Sequence, residues 1–471
     1  MANMAKFFQK LNLGNIRTIL REVVVRFPMA TLLVLAITGI LIYLTAFDKN
    51  LDMHTRTILI KIIITNIVAF FFSLSMSLFG ESEKFLSSRP YIAQILVMLF
   101  AVFFYVTLDG YVFESVEPAA YTLLTLSGFV SLLFVAPFFR KILTRKYDQD
   151  VYYVYFYRTS LVFLISAIVG GTLLFLGSIA IGSVFALFDL AMLDKRKVFM
   201  YWTIFALAFF APLFALAHVP KKETFITSDL TESKFFTFLI KYIGVPFIYV
   251  YFLILYVYSI KVLMNFSDWP KGHISWMVII FSIFGYMMYI FTYLLREQNS
   301  LIRLFRKLFP VAVIPQVLML FYAIYLRIYQ YDITMNRYFI VVFGTWLLGV
   351  SLYYALSKQK YLGIIPFSLG IIILIISMGP WSVYSMPAER QYNKLVRNLE
   401  QAHILKDGVI VPLAKYTDID GTLSNEIHNG INYMCDFSEC SRIKKLFATQ
   451  LAGKEKLSRE EFEKNIKVET L

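Results

Sequence analysis

Apolar stretches of about 20 residues, broken by short polar runs, dominate the chain from Phe27 to about Met386. They begin near Phe27, Thr57, Tyr91, Ala119, Thr159, Val198, Phe235, Ile274, Leu308, Tyr338 and Tyr361 and predict eleven transmembrane helices. Each is long enough, as helix, for a hydrocarbon core of roughly 30 Å, in which unpaired backbone is too costly to leave. The alternating segments of about ten residues that build a membrane barrel are absent. The fifth stretch runs on to Phe188, as one tilted helix or as a span plus an interfacial turn. Its Gly170, Gly171, Gly177, Ala180 and Gly182 allow close helix approach. No small-x-small cleavage pattern follows the first stretch, so it reads as a retained span rather than a removed signal.

Both flanks have a different pattern. Residues 1–26 space Phe7, Phe8, Leu11, Leu13, Ile16, Leu20, Val23 and Val24 at helical intervals, with basic residues between them. That predicts an interfacial amphipathic helix. Residues 387–471 are charged. They show short helical patterns at Glu389–Gln401, Leu423–Cys435 and Ser458–Ile466, a turn at Lys406-Asp407-Gly408 and an extended run at Val409–Leu413. The expected fold class is an all-α polytopic membrane protein. A bundle of about eleven transmembrane helices fills 27–386, and a small C-terminal extramembrane domain, or a cap packed on the helices, follows.

Composition agrees. Hydrophobic residues make up 59% and charged residues 16% of the chain, against roughly 45–50% and 25% in soluble domains. The net charge is +14, yet the segment after Pro387 holds 13 basic and 13 acidic residues. The whole excess therefore lies among the spans, where it is an orientation code rather than a nucleic-acid footprint. With the N-terminus inside, inner segments collect 22 basic residues and outer loops 10. Eleven spans then put the C-terminus outside. The run Lys195-Arg196-Lys197 falls on the wrong side of this count.

Candidate chemistry begins with polar groups inside spans, which are expensive and often mark a pathway. Asn66 lies in the second span, and Pro315-Gln316 lies in the ninth. There proline frees a carbonyl, and the amide lines a cavity or the helix simply kinks. Lys61 and Lys241 lie near span ends, where a long side chain reaches the interface. The densest polar cluster joins spans nine and ten: Arg327, Gln330, Tyr331, Asp332, Thr334 and Arg337. Its two guanidiniums suit a carboxylate or phosphate of an anionic lipid or small anion. Alternatively, Asp332 pairs with either Arg and fixes the turn, with Thr334 or Asp332 capping span ten. Gly379-Pro380 ends span eleven ahead of interfacial Trp381 and Tyr384. Cys435 and Cys440 suit a disulfide in an oxidising compartment, free thiols or, with no nearby His pair, a weak metal site.

The run Arg327-Ile-x-Gln-Tyr-x-Ile-Thr-x-x-Arg-Tyr338 precedes an apolar span. Gly379-Pro380 follows, then Gln391. This combination resembles the bacterial domain-of-unknown-function family 4153, and the opening Arg26-Phe27-Pro28 is also similar. The resemblance implies a polytopic architecture and singles out Arg327, Gln330, Tyr331, Thr334, Arg337, Gly379, Pro380 and Gln391. It brings no assigned activity. Where the family pattern has Gly after the Tyr, this chain has Asp332.

There is no Gly-x-x-x-x-Gly-Lys-Ser/Thr phosphate loop, no His-Glu-x-x-His and no Gly-x-Ser-x-Gly, and the five His are scattered. No catalytic residue, metal or cofactor is therefore expected, and no nucleic-acid partner. Three classes remain for a protein of the bacterial cytoplasmic membrane with its N-terminus inside. A transporter or lipid-handling protein would use Pro315-Gln316 and the Arg327–Arg337 face. A sensor or assembly scaffold would engage an envelope protein through its exported C-terminal domain. An intramembrane enzyme would act on a lipid-linked substrate. The lipid bilayer is the partner common to all three.

Overall fold

The structure, a computed structural model, describes residues 13–109, 117–188, 193–222, 234–264, 273–297, 299–403, 405–406, 408–410, 421–437, 442–443 and 446. Helices account for nearly all of them. In chain order the main ones are α1 (Leu13–Arg26), α2 (Pro28–Ala46), α3 (Met53–Ser82), α4 (Pro90–Asp109) and α5 (Glu117–Leu133). Then come α6 (Gln149–Leu187), α7 (Lys195–His218), α8 (Lys234–Met264), α9 (His273–Phe291) and α10 (Ser300–Tyr331). The last are α11 (Met335–Leu356), α12 (Ile364–Ser377), α13 (Ser385–Gln401) and α14 (Gly421–Phe437). A two-residue antiparallel pair joins β1 (Leu405–Lys406) to β2 (Val409–Ile410).

Among the described residues, eight helices are long and apolar enough to cross a membrane: α2, α3, α4, α6, α7, α8, α10 and α11. A ninth candidate is the pair Ala119–Leu133 and Ala136–Leu143, bent by 57°. Helices α9 and α12 are apolar but shorter. Local signals set the helix ends. Pro28 opens α2, where a missing N–H costs nothing. Asp52 caps α3 by accepting from Thr55 N at 3.0 Å, and Asn299 caps α10 through Leu301 N at 2.8 Å. The fifth apolar stretch is one continuous helix, α6. Its 39 residues span about 58 Å, so it overshoots the hydrocarbon core. Of its small residues, Gly170 and Gly177 meet α7. A Cβ at Gly177 would lie 2.0 Å from the Trp202 ring, whose Nε1 donates to Leu174 O at 3.2 Å.

Contacts divide the chain into two compact units. The first comprises Met1–Gly110, Thr122–Thr237 and Gln359–Leu374, and the second comprises Tyr111–Tyr121, Phe238–Lys358 and Ile375–Leu471. In the first, Phe27, Val34, Leu74, Leu78, Val97, Leu133 and Leu216 form a buried apolar cluster. Arg26 closes its edge. Its Nε and Nη2 donate to the two Glu81 oxygens at 2.7 and 3.0 Å, while Nη1 and Nη2 reach the Val219 and Pro220 carbonyls at 2.7 and 3.0 Å. Beside it, Lys221 Nζ lies 2.9 Å from Glu22, and that hydrogen bond and charge hold the Glu22 carboxyl below its ordinary range. Tyr147 and Gln149, ahead of and at the start of α6, bind the backbone of Lys360, Leu362 and Gly363.

In the second unit, Tyr286, Phe305, Val313, Val317, Leu347 and Tyr354 are buried, and Tyr286 and Ser351 hydroxyls meet at 2.6 Å. The charged tail has an apolar cluster of its own, built from Leu395, Leu399, Leu405, Ile427, Ile431, Met434 and Cys435. Residues 1–12 and the Ser458–Ile466 pattern lie outside the described residues.

Candidate anion-binding cleft

The α10–α11 turn is made of backbone that needs help. Asp332 ends α10 with φ 59° and ψ −177°, a conformation almost confined to glycine. Its Oδ1 accepts from Ile333 N at 2.7 Å, which offsets part of the strain. Thr334 stands at the N-cap position of α11, but its side chain makes no cap hydrogen bond. Instead Met335 N donates to the Tyr433 hydroxyl of α14 at 3.0 Å. Gln391 of α13 donates from Nε2 to Ile333 O at 2.9 Å, and Arg337 donates to the Asp332 carbonyl. The turn's orphan groups are thus met partly by Asp332 and Arg337 nearby and partly by Gln391 and Tyr433 of the tail, with no help from Thr334.

These contacts bring α13 and α14 beside the start of α11 and leave a cleft of about 240 Å³. Gln391, Lys394, Leu395 and Asn398 line it from α13, and Glu426, Asn429, Gly430 and Tyr433 line it from α14. Both sets follow i, i+3, i+4, i+7, one face of a helix each. Gly430 lets the two helices close, since a Cβ there would lie 3.2 Å from Leu395. Thr334 and Arg337 complete the wall. Glu426 Oε2 takes Lys394 Nζ and Asn398 Nδ2, both at 3.1 Å. Two cations and one carboxylate line the space, a net positive charge beside amide and phenol donors. Its size suits a headgroup or small anion rather than a large cofactor.

The structure therefore gathers Thr334, Arg337 and Gln391, three residues prominent in the sequence, into one site. Arg327 and Gln330 stand on α10 but are not among the residues lining the cleft. The side chain of Tyr331 lies outside the described residues. The Asp332 carboxylate pairs with neither Arg327 nor Arg337 but faces Arg397 of α13 at 3.8 Å. Gly379, φ +86°, and Pro380 turn the chain from α12 into α13. Trp381 Nε1 donates to Ile375 O at 2.9 Å, and Tyr338 hydroxyl donates to Trp381 O at 2.6 Å. Lys394, Asn398, Glu426, Asn429 and Tyr433 were not singled out in the sequence. The i, i+3, i+4, i+7 polar face of each tail helix is the signal that could have found them.

The intramembrane candidates lie elsewhere. Gln316 is buried, and its Oε1 accepts from Ser259 of α8 at 3.1 Å, while Nε2 has no partner among the described residues. Tyr256 donates to Ala312 O at 2.8 Å, one turn before Pro315, which α10 carries without interruption. Asn66 is half-buried on α3. Cys435 is disulfide-bonded and packs in the tail cluster, whereas Cys440, the only other cysteine in the chain, lies outside the described residues. Among the described residues no group of three His, Cys, Asp or Glu could hold a metal.

The family model described as Domain of unknown function (DUF4153) matches residues 66–397. That range includes the α10–α11 turn, Gln391 and Lys394, but stops short of the α14 wall. No curated protein and no solved structure matches the chain at a significant level.

Proposed function

We propose, for a chain that belongs to the DUF4153 family, a multi-pass membrane protein that holds the anionic group of a lipid or small solute in the α11–α13–α14 cleft. One observation carries this reading: Arg337 and Lys394, far apart in sequence, share a cleft with amide and phenol donors and only one carboxylate. Guanidinium and ammonium groups so placed suit a phosphate or carboxylate. This favours solute or lipid handling over an intramembrane enzyme, since the one carboxylate in the cleft, Glu426, is already taken by Lys394 and Asn398.

We extend the proposal to eleven crossings, counting the bent α5 pair, α9 and α12 beside the eight long helices. Within each unit, contacts between helix ends support alternate crossing. In the first, the start of α2 meets the ends of α3 and α7 through Arg26, and the end of α2 meets the start of α7 through Lys197 Nζ and Ala46 O at 2.9 Å. In the second, the end of α9 meets the start of α10 through Arg306, and the start of α11 meets the end of α12 through Tyr338. Each contact joins ends that alternation puts on one side. With the positive-inside count, the N-terminus is cytoplasmic, in a bacterial inner membrane. The tail is a small external domain resting on the spans.

The test is binding by the full chain in nanodiscs. Inorganic phosphate and dihexanoyl phosphatidylglycerol are titrated separately, and Tm is followed, since ligand bound to the folded state raises it. Arg337→Gln and Lys394→Gln should each weaken binding by about tenfold, the loss of roughly one charge-assisted hydrogen bond. Lys358→Gln should leave it unchanged. Equal binding by wild type and both cleft variants rejects the proposal.

A further inference from the structure

A guanidinium held away from water is costly unless an opposite charge meets it. Arg306 stands in the second turn of α10, half-buried. It donates to the Tyr289 carbonyl and, at 3.2 Å, to Thr292 Oγ1. Its Cζ lies 3.9 Å from the Tyr289 ring centre and 5.8 Å from that of Tyr293. Arg296 stacks on the same Tyr293 ring at 4.3 Å. Two guanidiniums thus crowd one aromatic ring. Arg296 has Glu297 at 3.6 Å, but Arg306 has no carboxylate partner among the described residues. Arg303 and Lys307, both exposed, add two further cations on the same turns.

The level of this cluster matters. From Arg306 to Arg327 the helix rises about 30 Å, the thickness of a hydrocarbon core. Arg306 therefore stands at one membrane face if Arg327 stands at the other. On the core side of it, Leu308 and Val311 are 45% and 51% exposed, an apolar face next to the cations. A soluble anion has no use for such a face, while a phospholipid places acyl chains there and its phosphate among the guanidiniums.

We propose that Arg306, with Arg296, Arg303 and Lys307, forms a second anion site that binds the phosphate of a membrane phospholipid. It shares no residue with the cleft and does not rest on that reading. Arg306 supplies a planar fork for the phosphate oxygens, and the tyrosines hold that fork in place. Arg303 and Lys307 act as point charges at the rim.

Native mass spectrometry of the full chain, titrated with phosphatidylglycerol in detergent, tests this. Wild type should retain the lipid, Arg306→Gln should lose affinity by about tenfold, and Arg306→Lys should recover part of it. Because Arg306→Gln alone can disturb packing, the surface double variant Arg303→Gln/Lys307→Gln is measured beside it. It should lose several-fold with Tm unchanged. Retention equal to wild type in both overturns the proposal. A second arm adds millimolar inorganic phosphate. If phosphate competes fully and phosphatidylglycerol shows no advantage over it, the site takes a soluble anion and the lipid assignment fails. The cleft variants are read in the same titration, so failure at one set of residues leaves the other standing.

Discussion

Replacing Arg26 gives the sharpest test of how the first unit is held. The residue ends α1, and its guanidinium joins Glu81 at the end of α3 to the Val219 and Pro220 carbonyls just past α7. The Val219 carbonyl, at the C-cap of α7, is one of the unpaired acceptors that a helix leaves at its C-terminus. The Arg26 and Glu81 side chains are 17% and 33% exposed, so the pair is partly screened. Breaking a buried pair costs about 3–5 kcal/mol; discounted for this exposure, Arg26→Met should cost about 3 kcal/mol. Glu81→Gln leaves Arg26 its two carbonyls and should cost about 2 kcal/mol. Because both changes break the same bidentate contact, the double variant should cost about 2 kcal/mol less than their sum. Trp202 is the one tryptophan in the first unit, so a variant with the other four replaced by Phe reports on that unit alone. Unfolding by SDS in mixed micelles, followed by Trp202 fluorescence, supplies the four free energies. Costs that add within about 0.5 kcal/mol would show that the two residues do not act through each other, and the account of this junction would be wrong.

Two further predictions concern single positions in the second unit. Asp332 has a backbone that favours glycine, at a strain of about 1–3 kcal/mol. Asp332→Gly should therefore be near neutral, while Asp332→Ala keeps the strain, loses the Ile333 hydrogen bond and should cost about 1–2 kcal/mol. Thermal unfolding of the purified chain ranks the two, and an alanine variant as stable as the glycine one contradicts the argument. Gln316 buries an amide nitrogen with no partner among the described residues, so Gln316→Met should lie within about 1 kcal/mol of wild type, or be more stable. A loss above about 2 kcal/mol would mean that the amide is satisfied after all.

Much of the helix inventory was legible along the chain. Each of the eleven apolar stretches coincides with an α-helical segment, and Asp52, Asn299 and Pro28 mark helix starts by local chemistry. The tail patterns at Glu389–Gln401 and Leu423–Cys435 lie within α13 and α14. The site was half legible. Arg337, Thr334 and Gln391 stood out because charge, amide and turn residues cluster near spans, but their roles did not follow. Thr334 reads as a cap, yet the amide at Met335 is taken by Tyr433, 98 residues away. The Lys195-Arg196-Lys197 run counts against the charge rule. Lys197 nevertheless stands where a cation is favourable, donating to the last carbonyl of α2 at the negative end of that helix.

The chain by itself thus determined which segments are helical and apolar, because solvation and helix-end chemistry act on residues close in sequence. It also determined that positive charge gathers between spans rather than in the tail. Only the tertiary structure decided that Arg26 would bind Glu81, that Arg306 and Arg296 would share a tyrosine, and that the tail would supply most of a cleft beside the α10–α11 turn. Those pairings depend on which helix faces approach within hydrogen-bond range. Except for Arg296 and Tyr293, three residues apart, the partners lie from more than ten to nearly two hundred residues apart, where no periodicity or local rule links one residue to the other.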